Sequence, residues 1–213
     1  MLRDLTRNDW LNILGTPRER IPRVLLVRGT RDLRRYYQAY RSACTDVLDL
    51  GDENSVLADL FAGYYSGIPI AYASVYGPSM ASEVTHVFGM LGTPLVVQLG
   101  NCGALAEELA TGDLFIATEA YCGEGAAQYY IGPRKTVTTR IDPAVQRVLA
   151  TPQSVPCHRG RIFTTAALFA EGDRDLEECS NQGFHAVDME TATTFAVAEH
   201  FGMDRLSILI RLG

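Results

Sequence analysis

The residues of this chain best suited to chemistry stand where apolar runs give way to helical patterns. Glu190 falls in the first turn of a helical pattern running from Met189 to Phe201, directly after the apolar stretch His185-Ala186-Val187. The helix macrodipole favours a glutamate there. The same carboxylate can also accept charge-assisted hydrogen bonds from two neighbouring hydroxyls, the pattern a sugar presents. Gly100 and Gly103 flank the stretch Gly100-Asn101-Cys102-Gly103-Ala104, which follows the apolar run Pro94 to Leu99. We read this stretch as a turn whose backbone N–H groups converge on an anion or a ligand hydroxyl, because glycine lets the backbone approach closely. Pro78 and Ser79 suit the opening of a helix, with N–H groups left for capping or for a ligand. Taken singly, each feature also fits an ordinary turn or helix start.

Elements must hold these residues in place. Apolar, β-branched runs bounded by turn residues predict strands at Arg23–Val27, Ile68–Val75, Pro94–Leu99, Asp113–Ala117, Arg161–Thr165 and Leu206–Leu212. Helical patterns lie between several of them, at Asp32–Arg41, Ser79–Met90, Asp142–Leu149 and Met189–Phe201, the last closing on Gly202. This alternation predicts an α/β fold around a mainly parallel or mixed sheet, and in such sheets ligands gather beyond the carboxyl ends of the strands. The segment Gly123–Arg140 carries no clear pattern and reads as a functional loop.

Composition narrows the function. With 213 residues, 47% of them hydrophobic, the chain buries a core of ordinary size, and we expect one domain over 1–213. A formal charge of -6 argues against binding nucleic acid or an anionic membrane, while leaving room for a local site for one small anion. No run is long and apolar enough to span a bilayer, and the first ten residues are too charged for a signal peptide. Five cysteines without a CxxC pair read as reduced thiols, and a cytoplasmic location is expected. Lys135 is the only lysine, so cationic work falls to arginine. His86, His158, His185 and His200 have no partners at metal-binding spacing, and no metal site is expected.

The two stretches Gly100-Asn101-Cys102-Gly103-Ala104 and Val187-Asp188-Met189-Glu190-Thr191-Ala192, in this order and spacing, resemble the nucleoside phosphorylase family that includes uridine and purine nucleoside phosphorylases. The resemblance extends from about Arg23 to the end. Gly29, Gly77-Pro78-Ser79, Glu124-Gly125 and Ala167-Leu168-Phe169 support it. It implies a three-layer α/β/α sandwich around a partly closed mixed sheet, and a homo-oligomer (dimer, trimer or hexamer) with sites near subunit contacts. The family's last helices would lie beyond this sequence. By the same resemblance Glu190 grips the ribose hydroxyls, Met189 packs behind the sugar, and Phe169 and Val187 lie beside the base. Asn101, Cys102 and Gly103 pass alongside base and sugar, and Glu124 belongs to a binding loop. The implied substrate is a small-molecule nucleoside, with inorganic phosphate as co-substrate and no cofactor.

The departures from that family concern phosphate, whose binding calls for multidentate arginine. Gln98 takes the place of the arginine before the G-x-C-G stretch, and Asn101 replaces a serine or threonine. Leu33 falls where the first glycine loop carries an arginine, with Arg31 and Arg34 out of step and Arg28 close by. No arginine stands near Val56, where one would serve a neighbouring subunit, and Tyr76 crowds the corner before Gly77. The phosphate or water side is therefore assigned to Gly29, Arg31, Gln98, Tyr76 and Ser79. A base-side aspartate of many relatives would fall at or beyond Gly213. Three functions stay open: phosphorolysis with a redrawn phosphate site, hydrolysis of the nucleoside, and nucleoside binding without turnover.

Overall fold

The computed structural model describes residues 2–50, 57, 59–151 and 154–212, so Val56 and Gly213 lie outside the described residues. The chain opens with α1 (Arg7–Ile13), whose N-terminus is closed by a capping box between Thr6 and Asp9. There follow β1 (Val24–Gly29), α2 (Leu33–Ser42), β2 (Thr45–Asp49), β3 (Leu60–Tyr65), β4 (Ile68–Val75), α3 (Gly77–Leu91) and β5 (Leu95–Ala104). The second half runs β6 (Leu114–Cys122), α4 (Gln128–Ile131), β7 (Thr136–Thr138), α5 (Pro143–Ala150), β8 (Cys157–Thr164), α6 (Asp173–Asn181), β9 (Ala186–Asp188), α7 (Thr191–His200) and β10 (Asp204–Arg211). Asp32 and Asp142 cap α2 and α5 through their side chains, and Gly202 after α7 has φ +71°, the left-handed conformation expected at a helix end.

All the strands belong to one mixed sheet. Its main path is β10-β6-β8-β9-β5-β1-β4-β3-β2, and β7 pairs with β6. Because β10 pairs in parallel with β5 and antiparallel with β6, the strands β5, β10, β6, β8 and β9 close into a ring from which β1, β4, β3 and β2 extend. On that extension side chains alternate between two faces. Leu25 and Val27 of β1, Ala71 and Ala73 of β4, and Leu60 and Ala62 of β3 pack with Val84, Phe88 and Leu91 of α3 and with Trp10 of α1. Leu26, Tyr72 and Phe61 face the other way, against Tyr36, Tyr37 and Tyr40 of α2. Helices thus cover both faces, the three-layer arrangement expected. No helix among the described residues is long and apolar enough to cross a membrane.

The structure corrects one expectation that bears on the site. Gly100–Ala104 is not a turn. It prolongs β5, pairing Gly100, Asn101 and Cys102 with Leu209, Ile210 and Arg211 of β10, and Gly103 with Val187 of β9. The stretch is glycine-rich for clearance: a Cβ on Gly100 would stand 2.8 Å from the Gln98 amide nitrogen, and one on Gly103 would stand 3.0 Å from Val187. Within Gly123–Arg140, the short α4 and β7 are present.

Candidate active site

A cavity of about 520 Å³ opens beside the carboxyl ends of β1, β4 and β9 and the far end of β5. It brings together Gly29, Arg31, Tyr76, Asn101, Cys102, Gly103, Val187, Met189 and Glu190 from four separate stretches of the sequence. The size suits a drug-sized or nucleoside-sized ligand.

Glu190 is the buried charge of this cavity. It is 5% exposed and occupies the N-cap position of α7, one residue before the helix proper, with non-helical backbone. Its Oε1 accepts a 2.7 Å hydrogen bond from the backbone N–H of Gly77, the residue that opens α3 with φ +80°. Two helix starts, 113 residues apart, are thereby joined through one carboxylate. Gly29 explains itself here: a Cβ would lie 2.5 Å from Glu190 Oε2 and 2.9 Å from Cδ, so only glycine at the end of β1 leaves the carboxylate its place. Burial raises the Glu190 pKa well above the carboxylate range, and the neighbouring Asp188 raises it further. The Gly77 N–H and the charge of Arg28 work in the opposite direction and only partly offset this.

Beneath Glu190 lies a polar network that sequence reasoning left without a role. Asp188 accepts from Thr164 Oγ1 at 2.7 Å, from the Thr191 backbone N–H at 2.9 Å and from Thr191 Oγ1 at 2.5 Å. It ties the end of β8 to the start of α7, and burial raises its pKa. The readable signal was an aspartate three residues before Thr191, the spacing of a helix cap. Cys102, 3% exposed, has its thiol pushed up to about 12, by burial first and then by Asp188, so it is a neutral wall and no nucleophile.

Four expected residues sit elsewhere. Gln98 is fully buried and does not line the cavity; its Oε1 accepts from Ser207 at 2.6 Å and stands 3.3 Å from the Thr191 hydroxyl oxygen, whose proton goes to Asp188. Its position opposite Val27 turns it to the α3 face, into the protein. Ser79 lies exposed in the first turn of α3, away from the cavity. Phe169 is 90% exposed, its ring 4.9 Å from the Arg31 guanidinium, and its neighbour Leu168 lines the cavity instead. Glu124 uses its carboxylate on the N–H groups of Ala126 and Ala127 within its own loop. Arg34 faces Asp59 at 3.7 Å. Conversely, Arg35, Tyr36, Asp32 and Thr165 line the cavity without having been singled out.

Residues 51–211 match the family model described as Phosphorylase superfamily, and the chain belongs to that superfamily. Among characterised relatives it is 25% identical over 164 residues to a guanosine phosphorylase of Halorubrum lacusprofundi, covering 74% of this chain and 68% of that protein. It is 24% identical over 153 residues to a DeoD-type purine nucleoside phosphorylase of Alkaliphilus metalliredigens, covering 70% and 66%. The matches therefore span about two thirds of the length of these relatives. The fold is shared with a uridine phosphorylase from Vibrio fischeri ES114, with TM-score 0.78, 21% identity, and 93% and 81% of the two chains covered. It is shared too with a 5′-methylthioadenosine/S-adenosylhomocysteine nucleosidase from Neisseria meningitidis, with TM-score 0.71, 18% identity, and 89% and 85% covered.

Proposed function

We propose that this chain is an enzyme that cleaves the N-glycosidic bond of a nucleoside, passing the sugar to inorganic phosphate and releasing the base. The observation that carries the reading is Glu190, a buried carboxylate facing a nucleoside-sized cavity with one oxygen fixed by Gly77. The substrate class is supported by the guanosine and purine nucleoside phosphorylases to which the chain is similar. Glu190 accepts hydrogen bonds from the ribose hydroxyls, while Met189, Val187 and Cys102 give an apolar wall. A phosphate oxygen forms the new bond to the anomeric carbon as the carbon–nitrogen pair leaves with the base. Positive charge grows on the sugar in between, and a fixed carboxylate nearby stabilises it more than the ground state. No cofactor or metal is needed. A cytoplasmic homo-oligomer fits the free cysteines and the exposed Phe169 beside the cavity mouth.

Hydrolysis is the second reading, and Gln98 favours it: the residue in place of the family's arginine is buried and committed to Ser207. Incubation with purine and pyrimidine nucleosides, with and without phosphate, followed by chromatography of the free base, separates the two. Release only with phosphate is expected; equal release without it would make the enzyme a nucleosidase.

A further inference from the structure

Arg28, the residue before Gly29 at the end of β1, is 4% exposed. A buried cation is costly unless it is paired. No carboxylate among the described residues lies within ion-pair distance of it, and Glu190 acts on it only at longer range. Its donors are lightly used. Nη1 reaches the Gly29 carbonyl at 3.2 Å and Nη2 reaches Asn101 Oδ1 at 3.4 Å, both longer than the roughly 2.7–2.9 Å of a charge-assisted bond. The guanidinium carbon stands 4.4 Å from the centroid of the Tyr36 ring, leaving the N–H edges for another partner. Arg28 itself sits one layer behind the cavity lining, but its three contacts, Gly29, Asn101 and Tyr36, all line the cavity that Glu190 faces.

The sheet register explains how such a cation comes to be there. Val27 pairs with Gln98 and Arg28 with Leu99, so Gln98 turns to the α3 face while Arg28, like Leu26, turns to the α2 face. Asn101, an odd number of residues beyond Gln98 on β5, meets Arg28 from that same side. We propose that Arg28 holds the oxyanion co-substrate, inorganic phosphate, against Asn101, so that the guanidinium absent at position 98 is supplied from the adjacent strand and the opposite face. Arg31 and Arg35 at the cavity add positive potential for a dianion. The inference rests on the phosphorolytic reading above and names the residue that makes it work.

The test uses the full chain and inorganic phosphate, with binding measured by calorimetry and KM measured separately for phosphate and nucleoside. Arg28→Lys keeps the charge but loses the planar fork; Arg28→Gln removes both. At pH 9, where Glu190 is ionised in every variant, both are expected to weaken phosphate binding, Arg28→Gln by about 10²-fold, with nucleoside affinity nearly unchanged. Should Arg28→Gln fail to fold, Arg28→Lys decides alone. Unchanged phosphate affinity in the folded variants, or a wild type that binds no phosphate, overturns the inference. Glycosidic cleavage without phosphate would then still stand. Phosphate binding that depends on Arg28 with no nucleoside cleaved would uphold the site and defeat the functional reading.

Discussion

Glu190 is a buried carboxylate at the start of α7, with one oxygen held by the Gly77 N–H and the other against Gly29. With its pKa pushed up to about 7, by burial and then by Asp188, the folded protein binds a proton more tightly here than the unfolded chain does. Stability therefore falls as pH rises from the ordinary glutamate value of about 4.3 through about 7. Glu190→Gln, which removes the buried charge, should be more stable to unfolding than wild type at pH 8 by about 1–3 kcal/mol, and by much less at pH 5. Equal differences at both pH values would contradict this. Sugar binding needs the ionised form, so kcat/KM should decline as pH drops below about 7. Asp188→Asn, which keeps the shape but removes the charge beside Glu190, should move that decline to lower pH; an unmoved profile would show that burial alone sets it. Glu190 was legible because a carboxylate opening an otherwise apolar helix has few uses; Gln98, Phe169 and Arg28 were harder to place, because the sequence shows which residue stands at a position but not which face of the sheet or rim of the cavity its side chain takes.

At the level of elements, alternation of apolar strands and helices gave most of the order: Ile68–Val75 is where the sequence puts it, and the helical patterns beginning at Asp32 and Asp142 became α2 and α5, with those two residues as their caps. The G-x-C-G stretch was misjudged because glycine serves turns and close packing alike. Only the pairing of β5 with β10 and β9 reveals which. The same clearance joins β1 to α7 at Gly29, where the room a methyl would take is held by the Glu190 carboxylate. Gly29→Ala should push that carboxylate aside and lower kcat/KM by about 10²-fold, since displacements of about 1 Å cost that much at a positioned group. Steady-state kinetics on the folded variant would show it, and wild-type kcat/KM would mean that Glu190 has freedom the packing does not suggest.

For the whole molecule, the mixed sheet with helices on both faces was readable and the resemblance implied its partial closure, whereas the strands that close it were not, because the two partners of β10, β5 and β6, are distant from it in sequence and pair in opposite senses. That closure gathers the ends of β1, β5 and β9 around one cavity. A nucleoside bound only by the folded state should stabilise it by about 2.7 kcal/mol at a hundred times its Kd, raising Tm by about 5–10 °C. The most direct test of Glu190 as the sugar clamp is base release from guanosine, inosine, adenosine and uridine in phosphate buffer by the wild type and by Glu190→Gln. Cleavage of at least one nucleoside by the wild type, reduced by about 10²-fold or more in Glu190→Gln, is the predicted result. A folded wild type that cleaves none of them, or a Glu190→Gln variant as active as the wild type, would contradict the account.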